Sequence, residues 1–324
     1  MKKLIFFVSI ILLFSCKNVL VENIVNVKTM GTSGTIKYIS SNKIDFQKQI
    51  DSLLLDVNMS LSTYIDSSTI SKVNKKYINT TFAYENDKHF AINFDISSEV
   101  WNKTNHFFNP GIMPLIQYWK VQNKEKESYN LKVDSLHIDS LVKFVNNDDI
   151  WKQIDFSAIA KGYGVDVVAE FLEKKGIENY MVEIGGEVHC KGKNIEDEFW
   201  KIGIEEPNEE ERKLYAIVSL ENKSMATSGN YRNFKILDSG QKIVHIINPK
   251  TGYPEISNLL SASIITDKCS VADAYATACM VMGVDTCFDF IISEPTLECY
   301  LIYSDENGNL KTKISDGFNS YLNK

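Results

Sequence analysis

The sequence predicts an α+β fold: a single compound domain of mixed or antiparallel sheets with packed helices. Three observations predict it. Some short stretches alternate apolar and polar residues with the period of two of half-buried strands, and others repeat apolar residues at helical spacing. The two kinds are interspersed along the chain. No internal repeat and no Pro/Gly-rich linker divides them, so one domain is the simplest organisation.

The elements follow in order. Lys2 and Lys3 precede an apolar run at 4–14, then Ser15 and Cys16, the layout of an export signal. The run is shorter than the about 20 residues that a membrane-spanning helix needs. Leu13-Phe14-Ser15-Cys16 resembles a bacterial lipobox, with cleavage before a lipidated Cys16; the plainer reading is a secretory signal with an incidental cysteine. We therefore assign 1–15 to a lipoprotein signal peptide, 16–24 to a lipidated tether and 25–324 to the folded domain. The expected location is the cell envelope, lipid-anchored at the periplasm-facing inner membrane.

Residues 25–38 alternate like a strand interrupted by Gly31 and Gly34, and 46–59 place Ile50, Leu53, Leu54 and Val57 at helical spacing. Residues 61–74 form a polar loop in which Ser68 or Ser71 is positioned to cap a short helix, and 97–104 read as helix. Pro110, Gly111 and Pro114 argue against regular structure in "HFFNPGIMPLIQYW", which reads as a loop lining something. Residues 121–150 read as a surface excursion with one amphipathic helix near 136–145 and little function.

From Trp151 a strand to Asp155 leads into a helix over 160–174, with Val165, Val168, Phe171 and Leu172 inward and Gly176 at its end. Strands are expected in "YMVEIGGEVHCKG" and over 200–204, 215–220 and 260–265, with a hairpin across Asp238-Ser239-Gly240. Helices over 271–282 and 285–292 complete the pattern.

Composition narrows the function. The chain of 324 residues is 44% hydrophobic and 24% charged, an ordinary globular balance. Its net charge of −7, with no concentrated basic face, argues against a nucleic-acid partner. Beyond Cys16, Cys190, Cys269, Cys279, Cys287 and Cys299 show neither Cys-x-x-Cys pairs nor zinc-finger spacing, and most read as small buried hydrophobes whose pairing stays open.

Four features carry chemistry. Asp273 and Thr277, four apart on a helix, present two oxygens on one face where a hard cation could sit; taken alone, a capping Asp and a structural Thr explain them more often. "DFSAIAKGYGVD" puts Asp155 at a strand end and Lys161 at a helix start, without the order of a Walker loop. Gly185-Gly186 inside a strand marks a bulge or a close backbone approach. His245 precedes a Pro and Thr-Gly turn, a place for a titrating group, although a lone His is more often structural. No Ser-His-Asp order or catalytic-Cys signature accompanies it.

Eight segments, "TMGTSGTI", "LSTYIDSSTISKVN", "FNPGIMPLIQYW", "IDFSAIAKGYGVDVV", "VEIGGEVHCKG", "MATSGNYRNF", "HIINPKTGYP" and "ADAYATACMVMG", stand between Thr29 and Gly283 in the order in which the ApbE family of FAD:protein FMN transferases carries its motifs. The chain resembles that family. The resemblance implies an ApbE-like, T-fold-related architecture and Mg²⁺-dependent transfer of FMN from FAD to a Thr or Ser hydroxyl of an acceptor, with release of AMP. It implies FAD contacts from Met30, Tyr64, Phe107, Phe108, Asn109, Asp155, Lys161 and Ile247. It implies Mg²⁺ held by the Ala158 carbonyl, Asp273 and Thr277, with His245 near the phosphates as base or charge stabiliser, or Asp273 assisting. The implied acceptors are proteins of membrane respiratory or redox complexes that bear a flavinylation-type Thr/Ser motif. Asn109 departs from the family's usual Asp, which removes a carboxylate from this loop, and Pro110 and Gly111 stand where a β-branched stretch is expected. The rival readings are an Mg²⁺-dependent FAD pyrophosphatase giving FMN and AMP, and a non-catalytic FAD-binding lipoprotein.

Overall fold

The architecture is that of a computed structural model describing residues 20–124, 135–146, 153–207, 213–229, 234–236, 242–244, 246–255 and 257–322. Cys16 and His245 lie outside the described residues, as do 1–15 and Asp238-Ser239-Gly240, across which a hairpin is expected.

The stretch expected as one broken strand is a hairpin. β1 (Val21–Thr29) and β2 (Thr32–Ser40) pair antiparallel, closing at Thr29↔Thr32, so 21–24, read as tether, already belong to a strand. Met30 and Gly31 turn the chain with φ of 51° and 73°. Two consecutive left-handed residues match the twist of the flanking strands. Gly185-Gly186 is likewise not a bulge: with φ of 63° and 101° it turns β3 (Tyr180–Ile184) into β4 (Glu187–Lys191).

β1 to β4 with β7 (Lys223–Gly229), β10 (Leu259–Thr266), β11 (Glu298–Ser304) and β12 (Leu310–Ile314) build an eight-stranded sheet in the order β1-β2-β3-β4-β7-β10-β11-β12, while β5 (Trp200–Glu205) pairs with β6 (Leu214–Leu220), and β8 (Phe234–Ile236) with β9 (Lys242–Val244), in two separate ribbons. Every pairing in the eight-stranded sheet is antiparallel. One face carries helices. α1 (Gln47–Leu61) packs on α7 (Ala160–Lys174), α7 on β3 and α8 (Cys269–Met282), and α8 on β7, β10 and α9 (Val284–Ser293). The β5-β6 ribbon covers the other face through Trp200, Ile204, Val218 and Leu220. Ile264 faces the helices and Ile265 the ribbon, so β10 is buried on both sides. Each fully buried aliphatic there contributes about 1.5–3 kcal/mol of transfer free energy.

α7 spans 160–174 as its apolar spacing predicts, burying Val165, Val168 and Leu172. It ends in a Schellman arrangement, with Ile177 N–H on Leu172 O, Gly176 N–H on Glu173 O, and Gly176 at φ 77°. Ser68 caps α2 (Thr69–Asn74) by accepting from Ser71 N–H at 3.1 Å.

Other expectations are corrected. The Pro-rich stretch is regular: a 3₁₀ turn at Pro110–Ile112 runs into α5 (Met113–Lys124). Pro114 falls in the first turn, where a missing N–H leaves no helical bond unmade. Residues 153–155 are not a strand, because their backbone bonds go elsewhere: Ile154 N–H and C=O to the Asn74 amide, and Asp155 N–H to Pro110 O. The helix read at 97–104 is the end of α4 (Lys88–Lys103). α3 (Thr80–Asn86), β11 and β12 were not anticipated. α6 (Ser135–Val145) forms where expected, and the Cys279 and Cys287 sulfurs are joined as a disulfide between α8 and α9.

Candidate active site

A cavity of about 470 Å³ opens where α7 begins, along one face of α8 and beside the β3-β4 turn and the end of β7. One part of the lining is apolar: Phe107, Phe108, Pro110, Ile112 and Ile116 from the 107–116 stretch, with Ile246 and Ile247 packed in the same clusters. The other is charged and hydroxylated: Asp155, Lys161, Glu187 and Asp273, with Thr227, Ser228 and Thr277.

The charged wall exists because α7 and α8 approach at a glycine. A Cβ on Gly162 would stand 2.8 Å from Ser270 Cα, so only glycine allows this contact. It lets Gly162 N–H donate to Asp273 Oδ2 at 3.0 Å. Asp166, one turn on, accepts from Cys269 N–H, Ser270 N–H and Ser270 Oγ–H and ties down the start of α8. Burial outweighs those bonds and pushes the Asp166 carboxyl up to about 6.

Lys161 Nζ lies 2.7 Å from Glu187 Oε1 and 3.5 Å from Asp273 Oδ1. Burial alone would lower the lysine, but the two carboxylates outweigh it and keep the ammonium charged. Burial first, and then the charge of Asp273, push Glu187 up. Glu187 Oε2 is buried without a hydrogen-bond partner.

Two buried carboxyl groups therefore share one ammonium, and the upward push on Glu187 is the response to that crowding. The Thr277 hydroxyl, near Ser228 Oγ at 3.4 Å, is one helical turn from Asp273, and Ala158 lines the same cavity. Carboxylate, hydroxyl and carbonyl oxygens suit a hard dication that keeps positions for phosphate oxygens, so these residues fit Mg²⁺. Among the described residues no cluster of three or more His, Cys, Asp or Glu forms a metal cage. A cation here would rely on oxygens that a ligand brings.

The apolar wall is held from behind. Asn109 Oδ1 accepts from Gly111 N–H at 2.8 Å, and its Nδ2 donates to Val145 O and Asn146 Oδ1, each at 3.1 Å. Asn146 Nδ2 donates in turn to Pro249 O at 2.8 Å. Trp119 Nε1–H donates to Gly252 O at 2.8 Å, and Leu115, Ile138, Val145 and Ile247 form one hydrophobic cluster with Trp119. The excursion expected to have little function thus braces the cavity, because the last residue of α6 and the residue after it supply the acceptors that the Asn109 amide needs.

Of the residues singled out from the sequence, Phe107, Phe108, Asn109, Asp155, Ala158, Lys161, Ile247, Asp273 and Thr277 line this one cavity. Met30 and Tyr64 do not. The Met30 methyl packs against Gly164, between α1 and α7, and Tyr64 is 83% exposed with Lys120 Nζ 5.2 Å from its ring centre. His245 immediately precedes the lining residues Ile246 and Ile247 in the chain. Sequence reasoning missed Glu187. Its signal was a charged residue at an inward position directly after the Gly-Gly turn.

The comparisons agree with this arrangement. The profile of the ApbE family matches residues 30–301. An FAD:protein FMN transferase of Haemophilus influenzae is 33% identical over 313 residues, which span 90% of this chain and 89% of its own. One from Vibrio cholerae is 32% identical over 330 residues, 98% and 97% of the two chains. The solved structure of the flavin transferase ApbE from Vibrio cholerae superposes with a TM-score of 0.78 at 28% identity, covering 94% of this chain and all of that one. Family profile, sequence identity over most of both chains and the superposed fold converge: the chain belongs to the ApbE family.

Proposed function

We propose that this chain transfers FMN from FAD to a Thr or Ser hydroxyl of an acceptor protein. The observation that carries the reading is the pairing of an aromatic and aliphatic wall with a buried ammonium-carboxylate-hydroxyl wall across one cavity. The first suits flat heteroaromatic rings and the second suits a pyrophosphate; the volume lies within the about 300–1,000 Å³ of small-molecule sites.

In the reaction the acceptor oxygen attacks the FMN-side phosphorus. A new O–P bond forms, the bond from that phosphorus to the bridging oxygen breaks, and AMP leaves with that oxygen. The hydroxyl proton goes to His245 or Asp273, whichever faces it. Lys161 neutralises phosphate charge, and Phe107 and Phe108 fix the rings so that the phosphorus is presented in line. Asp273, Thr277 and the Ala158 carbonyl would hold a divalent ion, which would supply further charge neutralisation at the pyrophosphate.

The N-terminal basic-apolar-Cys16 pattern supports a lipid anchor, and with it an envelope location and acceptors among membrane redox proteins. Among the described residues no helix is long and apolar enough to cross a membrane. The test is intact mass of an acceptor domain after incubation with the full chain, FAD and Mg²⁺. One FMN phosphoester on a Thr or Ser, absent with EDTA, supports the reading; an unmodified acceptor beside consumed FAD replaces it with hydrolysis.

A further inference from the structure

We infer that Glu187 is a positioning residue of the cation site: its carboxylate holds the Lys161 ammonium so that Asp273 Oδ1 stays open to a divalent ion. The inference rests on the reading of Asp273 and Thr277 as cation ligands given above.

Asp273 has two oxygens with different commitments. Oδ2 takes the Gly162 N–H at 3.0 Å, so Oδ1 is the oxygen for which an ammonium and a cation compete. Lys161 is the competitor, at 3.5 Å from Oδ1. It sits instead at 2.7 Å from Glu187 Oε1. A charged nitrogen between two buried carboxylates settles on the nearer one and leaves the other short of compensation.

The backbone fixes where Glu187 stands. It is the first residue of β4, paired with Ile184 across a two-residue turn of left-handed glycines, so its side chain has little freedom to leave the cavity. It is 2% exposed, and Oε2 has no hydrogen-bond partner. A plain structural ion pair would satisfy both oxygens, because a buried orphan carboxylate oxygen is expensive. The orphan oxygen, and an Asp273 Oδ1 that the lysine reaches only at 3.5 Å, point to a site built to receive a cation, with the lysine parked beside it. Without Glu187 the ammonium has one partner left, and it closes on Asp273 Oδ1.

The probe is Mn²⁺ titrated into the full chain with FAD present, free ion being followed by electron paramagnetic resonance, together with a crystal structure of E187Q. E187Q preserves shape, and its melting temperature checks the fold. We expect E187Q to weaken Mn²⁺ binding by roughly tenfold or more, the scale of one charged hydrogen bond. The lysine should then lie against Asp273, and in a K161M background E187Q should cause no further loss of Mn²⁺ affinity. An equal loss from E187Q with and without the lysine would make Glu187 a ligand itself and overturn the positioning role. Unchanged Mn²⁺ binding in E187Q, while D273A loses it, would also overturn that role and leave the cation site standing. Wild-type affinity in D273A would remove the cation site and the inference with it.

Discussion

Gly162 N–H donates to Asp273 Oδ2 at 3.0 Å, joining the start of α7 to the cavity face of α8. This single bond fixes the rotation of the carboxylate on which the cation reading depends. It forms only because the two helices meet where α7 has no side chain.

Gly162→Ala should therefore separate α7 from α8. Overpacking of this kind costs about 1–3 kcal/mol. Urea unfolding should show a lower midpoint, and affinity for Mn²⁺ should fall with it. An unaltered midpoint would mean that the helices slide apart freely.

Asp273→Ala should remove metal-dependent turnover, by about a hundredfold or more, since a bound ion supplies several kcal/mol of charge stabilisation. FAD binding should survive, because the apolar wall lies on other elements. Fluorescence titration with FAD beside a turnover assay separates the two. Unchanged turnover would sink the metal assignment.

Asn109→Asp tests the brace behind the apolar wall. The amide donates to two acceptors, Val145 O and Asn146 Oδ1, and a carboxylate in its place would face both without a proton to give. The loss should be about 1–3 kcal/mol, read as a lower unfolding midpoint and a weaker Kd for FAD. A variant as stable and as tight as the wild type would show that the loop does not depend on α6.

His189 gives a pH dependence with a definite sign. Burial moves it from the usual 6.5 down to about 4, with Nδ1 2.8 Å from Ser224 Oγ. The fold holds the neutral ring, so its contribution is complete above about 6.5 and is lost as pH falls through 4, worth up to about 3 kcal/mol. Unfolding at pH 7.5 and 4.5 should show a smaller acid loss in His189→Gln than in the wild type. Equal losses would assign the acid sensitivity elsewhere.

Much of this was legible in the sequence where local rules decide the outcome. Apolar spacing marked α7, Ser68 marked a cap, and the i, i+4 relation of Asp273 and Thr277 marked one helix face. The misses arise where tertiary contacts decide. Residues 153–155 look like a strand but spend their backbone bonds on Asn74 and Pro110, 80 and 45 positions away. Pro114 looks like a breaker but falls in a first turn. Glu187 is inconspicuous until the turn at Gly185-Gly186 brings it to Lys161.

The central claim is transfer to a protein hydroxyl, and the most direct measurement counts its two products together. The full chain is incubated with FAD, Mg²⁺ and an acceptor domain, and AMP is quantified beside acceptor-bound flavin by in-gel fluorescence. The account predicts equimolar AMP and bound flavin, both absent with EDTA and both absent without acceptor. AMP and free FMN appearing at the same rate with or without acceptor would contradict it.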